Sequence, residues 1–403
     1  MENYKGKEYL KRKLQLKRNR VLLRYKHYEM KNIVRDFRIS TPPKLMNWMS
    51  VLGWCAHAVD SLADRIVFRE FAEDNFDLNS IYDMNNKDVL FDSAIVGALI
   101  SSCDFIYIAP DDEGFPRMQV IDGANATGVI DPITNMLIEG YAVLERDENN
   151  TPTLEAYFQS GSTTYYEGST ERTFKNKAPY PLLVPIIYRP DAMRPFGHAR
   201  ISRACMNIVG SAARTVKRSE IAAEFFSYPQ RYALGLSPDA EPMDKWQAAM
   251  SSFMAITSDE EGETPTLGQF QQQSMAPHTE QLRMFAALFA GETGLTLDDL
   301  GFVTDNPSSA EAIKASHETL RLTARKAQRT FGTGFLNAGY LAACIRDDYT
   351  YRRQQFYLTK PKWEPIFEPD AAMLSGIGDG AIKINQAIEG YVTEEKMKDM
   401  TGI

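Results

Sequence analysis

The sequence predicts an α+β protein, mostly helical, whose first half mixes helices with short strands and whose second half rests on long helices. Three observations carry this. Apolar residues at 201, 205, 208, 209, 212, 216, 221 and 225 line one helical stripe. Short runs between Asp104 and Phe158 are separated by turn-forming residues, as consecutive strands are. Those runs follow one another without intervening helical patterns, so the module is not a βαβ array, and no repeat with a period of roughly 20–50 residues recurs.

The first forty residues read as a basic helix, with thirteen Lys and Arg against four Asp and Glu. Leu10, Leu14, Val21, Leu22 and Tyr25 recur at helical spacing, so one stripe packs while the rest stays solvated. Such a face is either a solvated arm or a surface for an acidic partner or nucleic acid. Pro42-Pro43 ends it, and a second helix is expected from Lys44 to about Ala63 on Met46, Met49, Leu52, Trp54, Val59 and Leu62. Ile66–Phe71 is expected to be extended, and Val89–Ser102 helical. Strands are expected at Asp104–Ile108, Met118–Ile121, Ile138–Glu145 and Thr153–Phe158. The turns between them are Asp112-Glu113-Gly114, Asp122-Gly123 and Glu148-Asn149-Asn150.

A helix over Ile201–Phe226 is closed by Pro229. An insertion at about Gln230–Met275 should hold a strand at Tyr232–Leu236 and a helix at Met243–Phe253. It also carries the acidic run Asp259, Glu260, Glu261 and Glu263, then Gln271-Gln272-Gln273. Another helix runs from Pro277 to Gly291 or Gly294, and a loop, Thr296–Pro307, leads into the longest helix, Ser309 to about Ile345. Ser308 and Glu311 have capping-box spacing at its start. Gly332 and Gly334 are expected to bend or interrupt this helix. Asp370–Ile403 is expected to be helical with a break at Gly376, Gly378 and Gly380.

With 403 residues the chain is long for one core, so at least two packed regions are expected. The net charge is -8, whereas a surface that grips DNA along its length must be basic to displace counterions. Any DNA contact is therefore local or weak. Cys55, Cys103, Cys205 and Cys344 form no CxxC pair and are expected to be buried, reduced thiols. The five histidines are scattered, and Cys55 and His57 stand too close in sequence to share a helix face as zinc ligands. The start is too charged for a secretory signal, and the best uncharged run, Ser93–Cys103, is too short to span a membrane. The expected place is the host cytoplasm until assembly.

No catalytic constellation can be assembled. There is no P-loop and no G-x-S-x-G elbow. Gly376-x-Gly378-x-x-Ala381 matches a dinucleotide fingerprint only on paper, because no strand precedes it. Asp298, Asp299 and Asp305 share a loop without a nearby histidine, which reads as an acidic surface loop. The expectation is a non-enzyme with no catalytic residue, metal or cofactor.

One set of short strings stands in order across residues 189–313. It comprises Arg189-Pro190, Pro195-Phe196-Gly197-His198-Ala199-Arg200-Ile201-Ser202, Ala212–Arg214, Glu220–Phe225 and Pro229-Gln230-Arg231-Tyr232. Leu295-Thr296, Leu300-Gly301 and Asn306-Pro307-Ser308-Ser309-Ala310-Glu311-Ala312-Ile313 complete it. In these the chain resembles the portal (head-tail connector) proteins of tailed bacteriophages, in the siphophage branch with a short crown. The resemblance implies a phage portal fold with wing, stem, clip, tunnel loop and crown, assembling as a ring, usually a dodecamer. It divides the chain into a wing over 1–197, stem helices over 198–228 and 276–295, and a clip over 229–275 between them. A tunnel loop over 296–307, a long kinked helix returning to the wing over 308–369, and a short crown over 370–403 follow.

The function implied is a ring-shaped channel at one capsid vertex for packaging and ejecting double-stranded DNA. The partners implied are copies of itself, the duplex, the terminase large subunit, a head-tail connector or adaptor protein, and the major capsid and scaffolding proteins, with no membrane. Its place would be the virion. Candidate DNA-channel residues are Asp298, Asp299, Thr304, Asp305, Asn306, Lys314, Arg321 and Arg325, with Lys326 and Arg329 beyond them. Candidate partner-binding residues of the clip are Arg231, Asp239, Glu241, Asp244, Asp259, Glu260, Glu261 and Glu263. The rival readings are a non-catalytic cytoplasmic nucleic-acid-binding scaffold working through the basic first helix, and an enzyme with an unrecognised site.

Overall fold

The computed structural model describes residues 4–35, 41, 45–227, 231–234, 266–269, 274–302, 314–367, 369 and 371–402. The chain divides into two units. One is Met1–Asn32, Gly53–Met206 and Ala290–Ile403; the other is Ile33–Leu52 with Asn207–Phe289.

The first unit opens with helix α1 (Lys7–Tyr28), whose Leu10, Leu14 and Val21 are buried. Helix α2 (Trp54–Ala63), strand β1 (Phe68–Ala72) and helix α3 (Leu78–Asp83) follow. Helix α4 (Lys87–Ser101) is almost wholly apolar on its inner side, where Leu90, Phe91, Ala94, Ile95, Ala98 and Leu99 are buried. The strands β2 (Cys103–Pro110), β3 (Pro116–Ile121), β4 (Ala126–Ile130), β5 (Leu137–Arg146) and β6 (Pro152–Gln159) come next. Then come β7 (Ser162–Glu167), β8 (Thr170–Lys175) and β9 (Leu183–Ile187). The order β3-β2-β9 makes one antiparallel sheet, and β4 to β8 form a five-stranded meander. The sequence-predicted turn at Asp112-Glu113-Gly114 joins β2 to β3, with Gly114 at φ +82°.

Helix α5 (Arg203–Ser227), strands β10 (Arg231–Leu234) and β11 (Thr266–Gln269), and helix α6 (Ala276–Thr293) follow, with β10 and β11 paired antiparallel. The longest helix, α7 (Glu318–Arg346), precedes strand β12 (Lys360–Trp363), which returns to pair with β1. Helices α8 (Ala371–Ala387) and α9 (Glu394–Thr401) complete the first unit.

Helices α4 and α7 lie side by side on one face of the three-stranded sheet. Asp104 and Ile186 are cross-strand partners and so share a face. A Cβ on Gly97 of α4 would meet the Asp104 carboxylate at 1.7 Å, and one on Gly334 of α7 would meet Ile186 at 2.8 Å. The rings of Phe91 and Phe335, one from each helix, are 4.0 Å apart. Tyr107, on the opposite face of β2, meets Phe158 of the meander. The core of this unit is therefore a sheet sandwiched between helices and a second sheet.

Several expectations need correction. The second helix begins at Trp54, not at Lys44. Residues 48–52 are non-helical, and the chain passes from one unit to the other between Leu52 and Gly53, so no single core lies along that stretch. Gly332 and Gly334 do not interrupt α7, which is continuous. They bring it close to Pro361 and to Ile186, where any Cβ would collide. Helix α8 likewise runs through Gly376, Gly378 and Gly380, and the chain breaks instead between Ala387 and Glu394. Strands β4, β7, β8, β9, β11 and β12 are not apparent from pattern. In β9 the reason is Pro185, which is tolerated because β9 is an edge strand. All four cysteines are buried and free. Pro42-Pro43, the expected helix at Met243–Phe253 and the Ser308–Glu311 box lie outside the described residues, as does 309–313 at the expected start of the longest helix.

Candidate functional site

The expected tunnel loop starts where Gly294, at φ +73°, ends α6. Leu295 and Leu300 are buried and anchor the next turn. Thr296 and Asp299 bind each other reciprocally: the Thr296 N–H donates to Asp299 Oδ2 at 2.8 Å, and the Asp299 N–H donates to Thr296 Oγ1 at 3.1 Å. His317 Nδ1 lies 3.8 Å from the same carboxylate. Asp299 is thus committed to shaping the base of the loop, whereas Asp298 is exposed. Thr304, Asp305 and Asn306 lie outside the described residues.

On the following segment Lys314 is exposed, with its Nζ at Met373 Sδ. Arg321 is bidentate to Glu318 at 2.6 Å for both bonds, which holds the Glu318 carboxyl below the usual range. Arg321 is therefore neutralised locally. Arg325 is different: it is exposed and lines a groove of about 770 Å³ between α7 and β12. Lys326 and Arg329 from α7, and Lys360 from β12, share that groove with the apolar Leu322, Leu336 and Trp363. Sequence reading picked out Arg325, Lys326 and Arg329 but missed Lys360 and Trp363. The available signal was the basic-aromatic string Lys360-Pro361-Lys362-Trp363, more than one helix length away along the chain.

In the second unit a side-chain hydrogen bond joins α5 to α6. Ala212 and Ala213 are buried, and Thr215 Oγ1 donates to Gln281 Oε1 at 2.9 Å. Lys217 Nζ donates to the Met46 carbonyl at 3.3 Å, fastening the 45–52 stretch to α5. The ribbon β10–β11 pairs Arg231 with Gln269 and Leu234 with Thr266, so it closes a chain excursion over 235–265. Asp239, Glu241, Asp244, Asp259, Glu260, Glu261 and Glu263 fall on that excursion, outside the described residues.

The basic first helix is not a free arm. Lys11 pairs with Glu155 at 2.8 Å, Lys13 donates to the Gly128 carbonyl at 2.7 Å, and Arg18 donates to Asn150 at 2.9 Å. Arg24 donates to the Ser101 carbonyl at 3.1 Å, and Lys7 lies over the Tyr166 ring. Lys17 sits over Phe105, and burial lowers its ammonium to about 8. Its neighbour Asp104 is buried and pushed up to about 8 by desolvation, while Ser101 and the Gly123 N–H donate to its Oδ1. These contacts bind α1 to its own unit through Lys7, Lys11, Lys13, Lys17, Arg18 and Arg24, while Lys5, Arg12, Arg20 and Lys26 stay exposed.

Among the described residues no group of three or more His, Cys, Asp and Glu side chains could hold a metal ion. No helix among them is long and apolar enough to cross a membrane.

No protein-family model matches the chain. It is similar to the portal protein of Mycobacterium phage L5, at 23% identity over 78% of this chain and 69% of that protein. It is similar also to the portal protein of Mycobacterium phage D29, at 24% identity over 93% of this chain and 81% of that one. Among solved structures it resembles a chain of the virion of a native gene transfer agent particle, with TM-score 0.46 and 12% identity over 87% of this chain and 89% of that one. A chain from the neck of the native particle, computed with C12 symmetry, gives TM-score 0.45 and 13% identity over 95% of this chain and 99% of that one.

Proposed function

We infer that this chain is a portal protein of a tailed bacteriophage. The observation that carries the reading is similarity to two mycobacteriophage portal proteins that extends over most of the chain rather than over one motif. The order of elements supports it. Two helices bracket a β-ribbon, and the longest helix follows the second of them, which is how a stem, clip, tunnel loop and wing helix would follow one another.

In this reading the subunits close a ring, dodecameric as in the family, at one capsid vertex of the virion, and double-stranded DNA passes through it. The acidic chain suits a conduit: a net charge of -8 leaves the duplex weakly held, and a basic lining would trap it by counterion release. The excursion between β10 and β11 would meet the terminase motor during packaging and the head-tail connector afterwards. Its acidic composition suits protein partners more than phosphates.

The test is the mass of the purified protein by native mass spectrometry, with electron-microscope images of the same sample. Closed rings of about a dozen subunits around a duplex-sized hole are expected. A stable dimer that binds duplex DNA tightly, with a steep salt dependence, would overturn the reading in favour of a nucleic-acid-binding scaffold.

A further inference from the structure

The first unit carries two charged patches whose members form no ion pair among the described residues. The first is the groove between α7 and β12. Arg325 and Arg329 stand one turn apart on α7 with Lys326 beside them, and Lys360 faces them from β12. Among the described residues none of these four cations has an ion pair. Like charges at this spacing repel, so the chain holds them against their own electrostatics. Leu322, 47% exposed, and Trp363 add apolar surface to the groove.

The second patch is the outer face of α4. Asp88 and Asp92 stand one turn apart, and Val89, 71% exposed, lies on the same side. Asp64, at the end of α2, is near enough to act on Asp92: burial raises the Asp92 carboxyl, and the charges of Asp88 and Asp64 raise it further. These three carboxylates too have no ion pair among the described residues. Val67, 44% exposed, follows Asp64 closely along the chain.

The patches flank one ribbon. Trp363, which lines the basic groove, is the cross-strand partner of Phe68. Phe68 in turn stacks on Phe91 of α4 at 4.0 Å. The helix layer of this unit therefore has a basic-apolar flank on the α7 side and an acidic-apolar flank on the α4 side. A surface with two complementary flanks associates head to tail, and a head-to-tail contact repeated by rotation closes a ring.

We propose that neighbouring copies of this chain meet through these flanks, the α4 face of one copy seated against the α7–β12 groove of the next. The occupant is a second copy rather than nucleic acid. A phosphate backbone would match the cations but has no apolar surface to cover Leu322 and Trp363, whereas the α4 face presents Val89 between its carboxylates. Opposite charges across the contact fix its register and disfavour groove-to-groove pairing. The proposal rests on the portal reading, which supplies the ring.

Charge reversal tests it. One variant carries Arg325→Glu and Arg329→Glu; the other carries Asp88→Lys and Asp92→Lys. All four side chains are exposed, so each variant should fold, and circular dichroism and Tm check that it does. Each variant alone should lose rings by roughly tenfold or more at fixed concentration, read by native mass spectrometry. Mixed in equal amounts, the two should assemble again, because an acidic groove then meets a basic α4 and the unmodified pair meets as before. The restored rings should contain the variants one to one. Rings that survive either reversal, or a mixture that fails to assemble, overturn the proposal. Intact rings with weakened, less salt-sensitive duplex binding in the groove variant would assign the groove to nucleic acid instead. Unmodified protein that forms no ring but a DNA-gripping dimer removes the portal reading itself, and this contact with it.

Discussion

Asp104 shows how one side chain ties sequence-distant segments together. Its Oδ1 receives the Ser101 hydroxyl and the Gly123 N–H, and the charge of Lys17 on α1 lies close by. Burial raises its carboxyl to about 8, above the ordinary carboxylate value of the unfolded chain. The contribution to stability is therefore complete below the unfolded value and is lost as pH rises through the folded one. Between about pH 4 and pH 8 the protein should lose about 1–3 kcal/mol on this account. Asp104→Asn keeps an acceptor for both donors and cannot ionise, so its stability should stay flatter over the same range. Urea unfolding at pH 5, 6.5 and 8 measures the difference, and equal slopes for the two proteins would contradict this role. At the same scale composition alone hides the local partners of two channel candidates: Arg321 binds Glu318, and Asp299 binds Thr296.

Elements were legible where one periodicity ran uninterrupted. The stripe from Ile201 to Phe225 predicted α5 closely, and the apolar run near Val89 predicted α4, whose last turn, residues 97–101, is buried all round. Glycine suggested an interruption in α7 and a break in α8 that neither helix has. In α7 the glycines sit where the helix lies against β9 and β12, so their cost of about 1 kcal/mol each is offset by close packing. Gly334→Ala should therefore destabilise the protein by about 1–3 kcal/mol, since its Cβ would press on Ile186 and the Pro185 carbonyl. In α8 nothing lies within 4 Å of a Cβ on Gly378. Gly378→Ala should raise stability by roughly 0.5–1 kcal/mol through helix propensity. The two substitutions should move Tm in opposite directions, and a shared sign would refute this account of the glycines. The strands missed by pattern are short, exposed on both faces like β8, or interrupted by proline like β9.

For the whole molecule, the function proposed divides the charge among regions. Cations of α1 bind the chain to itself, the flanks of the first unit would bind copies to one another, and the acidic residues between β10 and β11 would meet partners. Replacing Asp259, Glu260 and Glu261 by Asn or Gln should leave ring formation unchanged while weakening attachment of the motor or the tail connector. Ring assembly by native mass spectrometry and packaging of DNA into capsids separate the two effects. Loss of rings in that variant would place these residues at a subunit contact and not at a docking surface.

The sequence by itself determined the α+β class, the long helices, the acidic insertion after Pro229, and the likeness to portal proteins, because helical stripes, net charge and ordered short strings are local or additive properties. Only the tertiary structure decided which charges are available. Lys360 and Trp363 join Arg325 and Arg329 because β12 returns to pair with β1 beside α7, and Lys11, Arg18 and Arg24 leave the surface pool because α1 docks on sheets formed more than seventy residues later. Which cation meets which carboxylate depends on contacts between segments far apart in the chain, and no periodicity along the sequence encodes those.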